Sequence, residues 1–81
     1  MDLIHLAQRL KAITKDVSEV QLEDLEESYM SLTDIKEVAD VLLRLVEEKY
    51  YDGWNERAEF YLEKLNEVTE LMKEYIAAYA L

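Results

Sequence analysis

The sequence predicts an all-α protein, a compact antiparallel bundle of three to four helices in one domain over residues 1–81. Three observations carry that expectation. There is no proline and a single glycine, Gly53, so the turn residues that β-hairpins need are missing. Ala, Leu, Glu and Lys, all good helix formers, dominate instead. Apolar residues also recur at three- and four-residue steps along most of the chain, the period that builds one dry face on a helix.

The first helix is expected over about residues 2–16, with Leu3, Leu6, Leu10, Ile13 and Val17 on one side and Asp2 placed as an N-cap or first-turn acid. Ser18 followed by Gln21 resembles a capping box, so a second helix is expected over about 19–31. The apolar phase changes there, from Val17 and Val20 to Leu22, Leu25, Tyr29 and Leu32, which places a bend or break near Ser18. Thr33 with Asp34 suggests the next N-cap, and a third helix over about 34–51. Its apolar set, Ile35, Val38, Ala39, Val41, Leu42, Leu43, Leu45 and Val46, sweeps more than half the circumference. A helix that apolar is covered from two sides, which makes it the central element.

Asp52-Gly53 is the strongest turn signal, because glycine tolerates the left-handed conformation that ends helices. A continuous helix through Gly53 would cost only about 1 kcal/mol relative to alanine. A break is favoured because the apolar phase of the third helix would carry on to Asp52 and Glu56, both acidic. Asn55 can cap the restart. The fourth helix, about 54–80, is long and amphipathic. Trp54, Ala58, Tyr61, Leu65, Val68, Met72, Tyr75 and Tyr79 form its dry face, while Glu56, Glu59, Glu63, Glu67, Glu70 and Glu74 cluster opposite. It spans about 40 Å against about 27 Å for the third helix, so its end needs cover from the first helix or a second copy. Met72, Tyr75, Ile76 and Tyr79 left bare would make a large apolar patch, which points to a homodimer with coiled-coil-like seams.

Nineteen acids oppose nine bases, a net charge of −10. That argues against direct nucleic-acid binding, which needs Lys and Arg on phosphates, and against docking on anionic membranes. Leu3 to Leu10 is interrupted by His5, Gln8 and Arg9 and so makes no signal-peptide core, and no apolar run is long enough for a membrane span. There is no cysteine, hence no disulfide or thiolate metal site. The expectation is a cytoplasmic protein.

Reaction chemistry is hard to assemble from these residues. His5 is the only histidine and falls on the wet face of the first helix. The paired Glu-x-x-His of a di-metal bundle, the His-Glu-x-x-His of a zincin and a glycine-rich phosphate loop do not occur. Ser18, Ser28 and Ser31 have no base in phase with them, and solvated carboxylate pairs lack the cleft that separates their pKa values. No catalytic, cofactor or metal residue is assigned, and a non-enzyme is expected.

Surfaces are more informative. Lys36, Asp40, Arg44 and Glu48 alternate in sign on the third helix, as a helix facing water does. Glu59–Glu63, Glu63–Glu67 and Glu70–Glu74 on the fourth are like-charge pairs four residues apart, and Glu23, Glu26 and Glu27 crowd the second. Arg9, Lys11 and Lys15 make the first helix mildly basic and suited to lie against an acidic one. A second, thinner apolar line of Phe60, Leu71 and Ala78, with Tyr51 near the turn, suggests an apolar contact that Met72, Tyr75 and Tyr79 extend. The expected function is therefore a small acidic protein-binding module of the inhibitor, antitoxin, immunity-protein or adaptor kind, meeting a protein with a basic surface. Narrower or competing alternatives are an acidic mimic of nucleic acid and a homo-oligomeric assembly subunit.

Overall fold

Two long helices joined by a tight turn form the spine of the protein. The computed structural model describes residues 2–79, which hold α1 (Leu3–Thr14), a single 3-10 turn (Glu27–Tyr29), α2 (Leu32–Tyr51) and α3 (Asn55–Tyr79). The all-α expectation holds, and of the expected three to four helices three are present among the described residues. Ala80, the expected end of the last helix, lies outside the described residues.

The hairpin turn follows from Gly53, whose φ is 78°. In that left-handed conformation Gly53 N–H donates to Tyr50 O at 3.0 Å, and Trp54 N–H donates to Lys49 O at 2.8 Å. Together these two bonds make a Schellman motif and satisfy the last carbonyls of α2. The expected break is thus present, although Asn55 is the first residue of α3 rather than its cap. Trp54 departs from the core position that its spacing suggests and is 56% exposed. It sits one residue past the glycine, where its ring rests against Lys49, with Nζ 5.3 Å from the ring centroid. This pair occupies the two positions that usually make the apolar contact of a Schellman motif.

Along the seam Ile35, Val38, Leu42, Leu45 and Val46 of α2 are buried, as are Ala58, Tyr61, Val68 and Leu71 of α3. α2 begins at Ser31, not Thr33. Ser31 Oγ accepts from Asp34 N–H, and the Asp34 carboxylate accepts from Ser31 N–H at 2.8 Å, a reciprocal capping box. The sequence signal was the correct acid, Asp34, with the wrong partner.

α1 is capped by Asp2, which accepts from His5 N–H at 2.8 Å, and buries Leu6, Ala7 and Leu10. It ends at Thr14, two residues early, where Val17 N–H donates to Thr14 O and starts a turn. α1 supplies the cover that the end of α3 needs. Arg9 reaches Glu74, while Ala12 and Ile13 line a cleft with Glu67 and Glu70, so the two helices run in opposing senses here. The molecule measures 39 × 25 × 16 Å, its long axis close to the ~37 Å that 25 helical residues span.

The second predicted helix is the clear error. Residues 15–31 form a strap of short turns instead, with N–H donation from Val20 to Val17 O, Leu25 to Leu22 O and Tyr29 to Glu26 O. Ser18 hydroxyl lies 3.4 Å from the Glu19 carboxylate and caps nothing. The physical reason is charge. A helix over 19–31 would stack Glu19 on Glu23 and Glu23 on Glu27 with no base between Lys15 and Lys36. It would also bring Glu26 and Glu27 toward its negative end. As a strap, the segment still buries Val17 and Met30 and half-buries Val20, Leu22 and Leu25. Val20, Leu22 and Leu25 share a cleft with Val38 and Val41, so the strap is the second cover that the apolar breadth of α2 demands.

Candidate acidic interface on α3

Glu56, Glu59, Glu63, Glu67 and Glu70 are all exposed along α3, Glu67 and Glu70 at the rim of the cleft with α1, and Glu74 is half-buried. They are not equivalent. Arg9 donates two hydrogen bonds to Glu74, from Nη1 at 2.9 Å and Nη2 at 2.7 Å, a bidentate clamp between α1 and α3. Those hydrogen bonds, with the charge behind them, hold the Glu74 carboxyl below its ordinary range and push the Arg9 guanidinium up. Glu70 has Lys73 at 3.2 Å. Glu56, Glu59, Glu63 and Glu67 have no ion-pair partner within 4 Å among the described residues. Eleven residues of helix rise put them along about 16 Å.

Two cations on α3 stand close enough in sequence to neutralise that row, and both are engaged elsewhere. Arg57 lies over Phe60 and Tyr61, 4.4 and 4.7 Å from the ring centroids, and Lys64 lies 5.3 Å over Phe60. Phe60 and Tyr61 meet edge to face at 5.4 Å. The helix therefore parks its cations on aromatic faces on one flank and leaves the carboxylates uncompensated on the other. Among the described residues each long helix holds one intrahelical ion pair, Lys36–Asp40 at 3.0 Å on α2 and Lys73–Glu70 at 3.2 Å on α3. The continuing pairs Asp40–Arg44 and Arg44–Glu48 do not close within 4 Å among the described residues.

The strap acids split in the same way. Glu23 and Glu26 are exposed, whereas Glu27 lies half-buried with Lys11 of α1 at 3.9 Å. Arg9 and Lys11 thus take up acidic charge from α3 and the strap, as the mildly basic character of α1 suggests.

The apolar contact read from the sequence does not survive as one surface. Leu71 is fully buried in the core, on the stretch of α3 that α1 meets through Glu67, Glu70 and Glu74. Met72, Tyr75 and Phe60 are half-buried against the core. Tyr79 is 43% exposed and stacks on Tyr75 at 5.3 Å. Tyr51 stands out at 92% exposure, with Tyr50 and Trp54 also open beside the same turn.

Chemistry of other kinds finds little footing in the described residues. No group of three or more His, Cys, Asp or Glu side chains there is arranged to hold a metal ion. Among the described residues no buried side-chain polar atom lacks a partner, and the hydroxyl of Thr14, the only buried polar residue there, donates to Leu10 O. A cleft of about 520 Å³ forms an open trough between the end of α1 and the strap. His5 is exposed, as its phase predicts. Among the described residues no helix is long and apolar enough to cross a membrane. Comparison of the chain with protein families, with the curated proteins and with the solved structures gave no match.

Proposed function

We propose that this chain is a small non-enzymatic protein-binding module whose α3 presents Glu56, Glu59, Glu63 and Glu67 to a basic surface on another protein. One observation carries the reading: Arg57 and Lys64, the cations nearest the row, lie over aromatic rings and leave four carboxylates in water. Glu59–Glu63 and Glu63–Glu67 each cost the isolated helix a few tenths of a kcal/mol, about 0.2–0.5 per pair. A helix kept only for its own stability would pair its acids, as Lys36 pairs with Asp40 on α2, whereas Lys64, one turn before Glu67, lies over Phe60 instead. Carboxylates on a rigid helix steer a cationic partner toward them and are released by salt. An inhibitor, antitoxin, immunity protein or adaptor is the class this supports. An acidic mimic that occupies a nucleic-acid site is its narrower form.

Self-association as a homodimeric assembly subunit is the second reading. It is favoured by the partly exposed Ile76 and Tyr79 at the end of α3. The net charge of −10 opposes it, since two copies repel.

The test is retention of proteins from the source cells on immobilised chain, comparing wild type with the triple variant Glu59→Lys, Glu63→Lys, Glu67→Lys. The expected result is a basic protein held by wild type at low salt and lost by the variant, with the helical circular dichroism unchanged. Equal retention by both would end the reading.

A further inference from the structure

The geometry points to a second contact for the same basic partner at the hairpin end, where Tyr51 receives an arginine or lysine side chain. This rests on the reading above that the partner is cationic, and it adds a specific grip. Tyr51 is 92% exposed on the last turn of α2, an unusual state for a large ring in a folded chain. It shares a shallow cleft with Glu47, Glu48 and Asp52, so an open aromatic face is bordered by three carboxylates. No base belongs to that cleft.

The surrounding chemistry shows what such a ring takes. Trp54 has Lys49 over it, Phe60 has Arg57 and Lys64, and Tyr61 has Arg57. Among the described residues each of these three rings carries a cation from the same chain, whereas Tyr50 and Tyr51 carry none, and of the two Tyr51 is far the more open. A guanidinium or ammonium from outside would lie on the Tyr51 face and meet Glu47, Glu48 or Asp52 with its N–H groups, combining ring and carboxylate attraction in one place. A second copy of this chain is a poor occupant, because its surface is as acidic as this one. An aromatic anchor with a charged rim is also the usual composition of the energetic centre of a protein contact.

The test is a backbone-amide NMR titration of the full chain with a capped tetra-arginine peptide at about 20 mM salt, where exposed charges act over long range. The expected shifts gather on Glu47, Glu48, Tyr51 and Asp52. Tyr51→Ala should weaken that site about two- to fivefold, while Tyr51→Phe, which keeps the face and removes the hydroxyl, should leave it unchanged. Both variants alter a solvated side chain, and unchanged circular dichroism confirms the fold. Shifts confined to the Glu56–Glu67 row, or equal affinity for wild type and Tyr51→Ala, would overturn the Tyr51 site and leave the proposed function standing. An absence of shifts anywhere would overturn both.

Discussion

Replacing Leu71 by alanine separates two views of α3. Helical phase alone puts Leu71 beside the glutamates, on a thin exposed line, where its truncation would change stability by less than about 0.5 kcal/mol. In the structure its side chain is fully buried in the core, on the stretch of α3 that α1 covers through Glu67, Glu70 and Glu74. A buried Leu→Ala change loses the transfer energy of the removed carbons and leaves a cavity, about 2–5 kcal/mol together. The value should fall in the lower half, because α1 is held to α3 by one short seam and can settle inward. A chain of 81 residues has a stability of about 4–12 kcal/mol, so the loss is a large fraction. Urea unfolding followed by circular dichroism measures it, and the melting temperature should fall by at least about 8 °C. Leu43→Ala is the control, since Leu43 is 46% exposed on α2 and should be nearly neutral. A cost for Leu71→Ala no greater than that of Leu43→Ala would refute the packing of α1 on this face.

Two smaller changes test the cap of α2 and the clamp on α1. Ser31→Ala should cost about 1 kcal/mol through loss of the capping box, and Thr33→Ala should cost markedly less in the same unfolding assay. Glu74→Gln should destabilise the protein at neutral pH. The Glu74 carboxyl is held below its ordinary range by Arg9, so its contribution is present above the ordinary glutamate pKa and disappears as pH falls through the depressed one. Unfolding of wild type and Glu74→Gln compared across the acid range should therefore show two curves that converge at low pH. A gap independent of pH would mean the clamp is not the cause.

Both long helices and their break were legible because their signals are local and redundant. Gly53, the acidic phase beyond it and the stripes on either side all give the same boundary. The strap was not legible for the opposite reason. Leu22, Leu25 and Tyr29 carry helical spacing, but the decisive quantity is the summed repulsion of Glu19, Glu23, Glu26 and Glu27 without a base. The apolar demand of α2 can also be met by short turns as well as by a helix. Trp54 was misplaced because a stripe cannot show where a Schellman turn lifts a residue off the helix. Leu71 was misplaced because an arc drawn for one neighbour is too narrow for a helix packed by two. The acidic row itself was visible in the sequence. That Arg57 and Lys64 turn away from it was not, since a cation at this spacing can choose either a carboxylate or a ring.

The most direct measurement is made on one variant, Glu63→Lys, with stability and partner retention read on the same preparation. Lysine there replaces two like-charge neighbours, Glu59 and Glu67, by two attractive ones, so the helix should gain about 0.4–1 kcal/mol each from lost repulsion and new attraction. The proposed function predicts that the melting temperature rises while retention of the basic partner falls and becomes less sensitive to salt. A more stable variant that retains the partner as wild type does would contradict it, and the acidic row would then serve solubility alone.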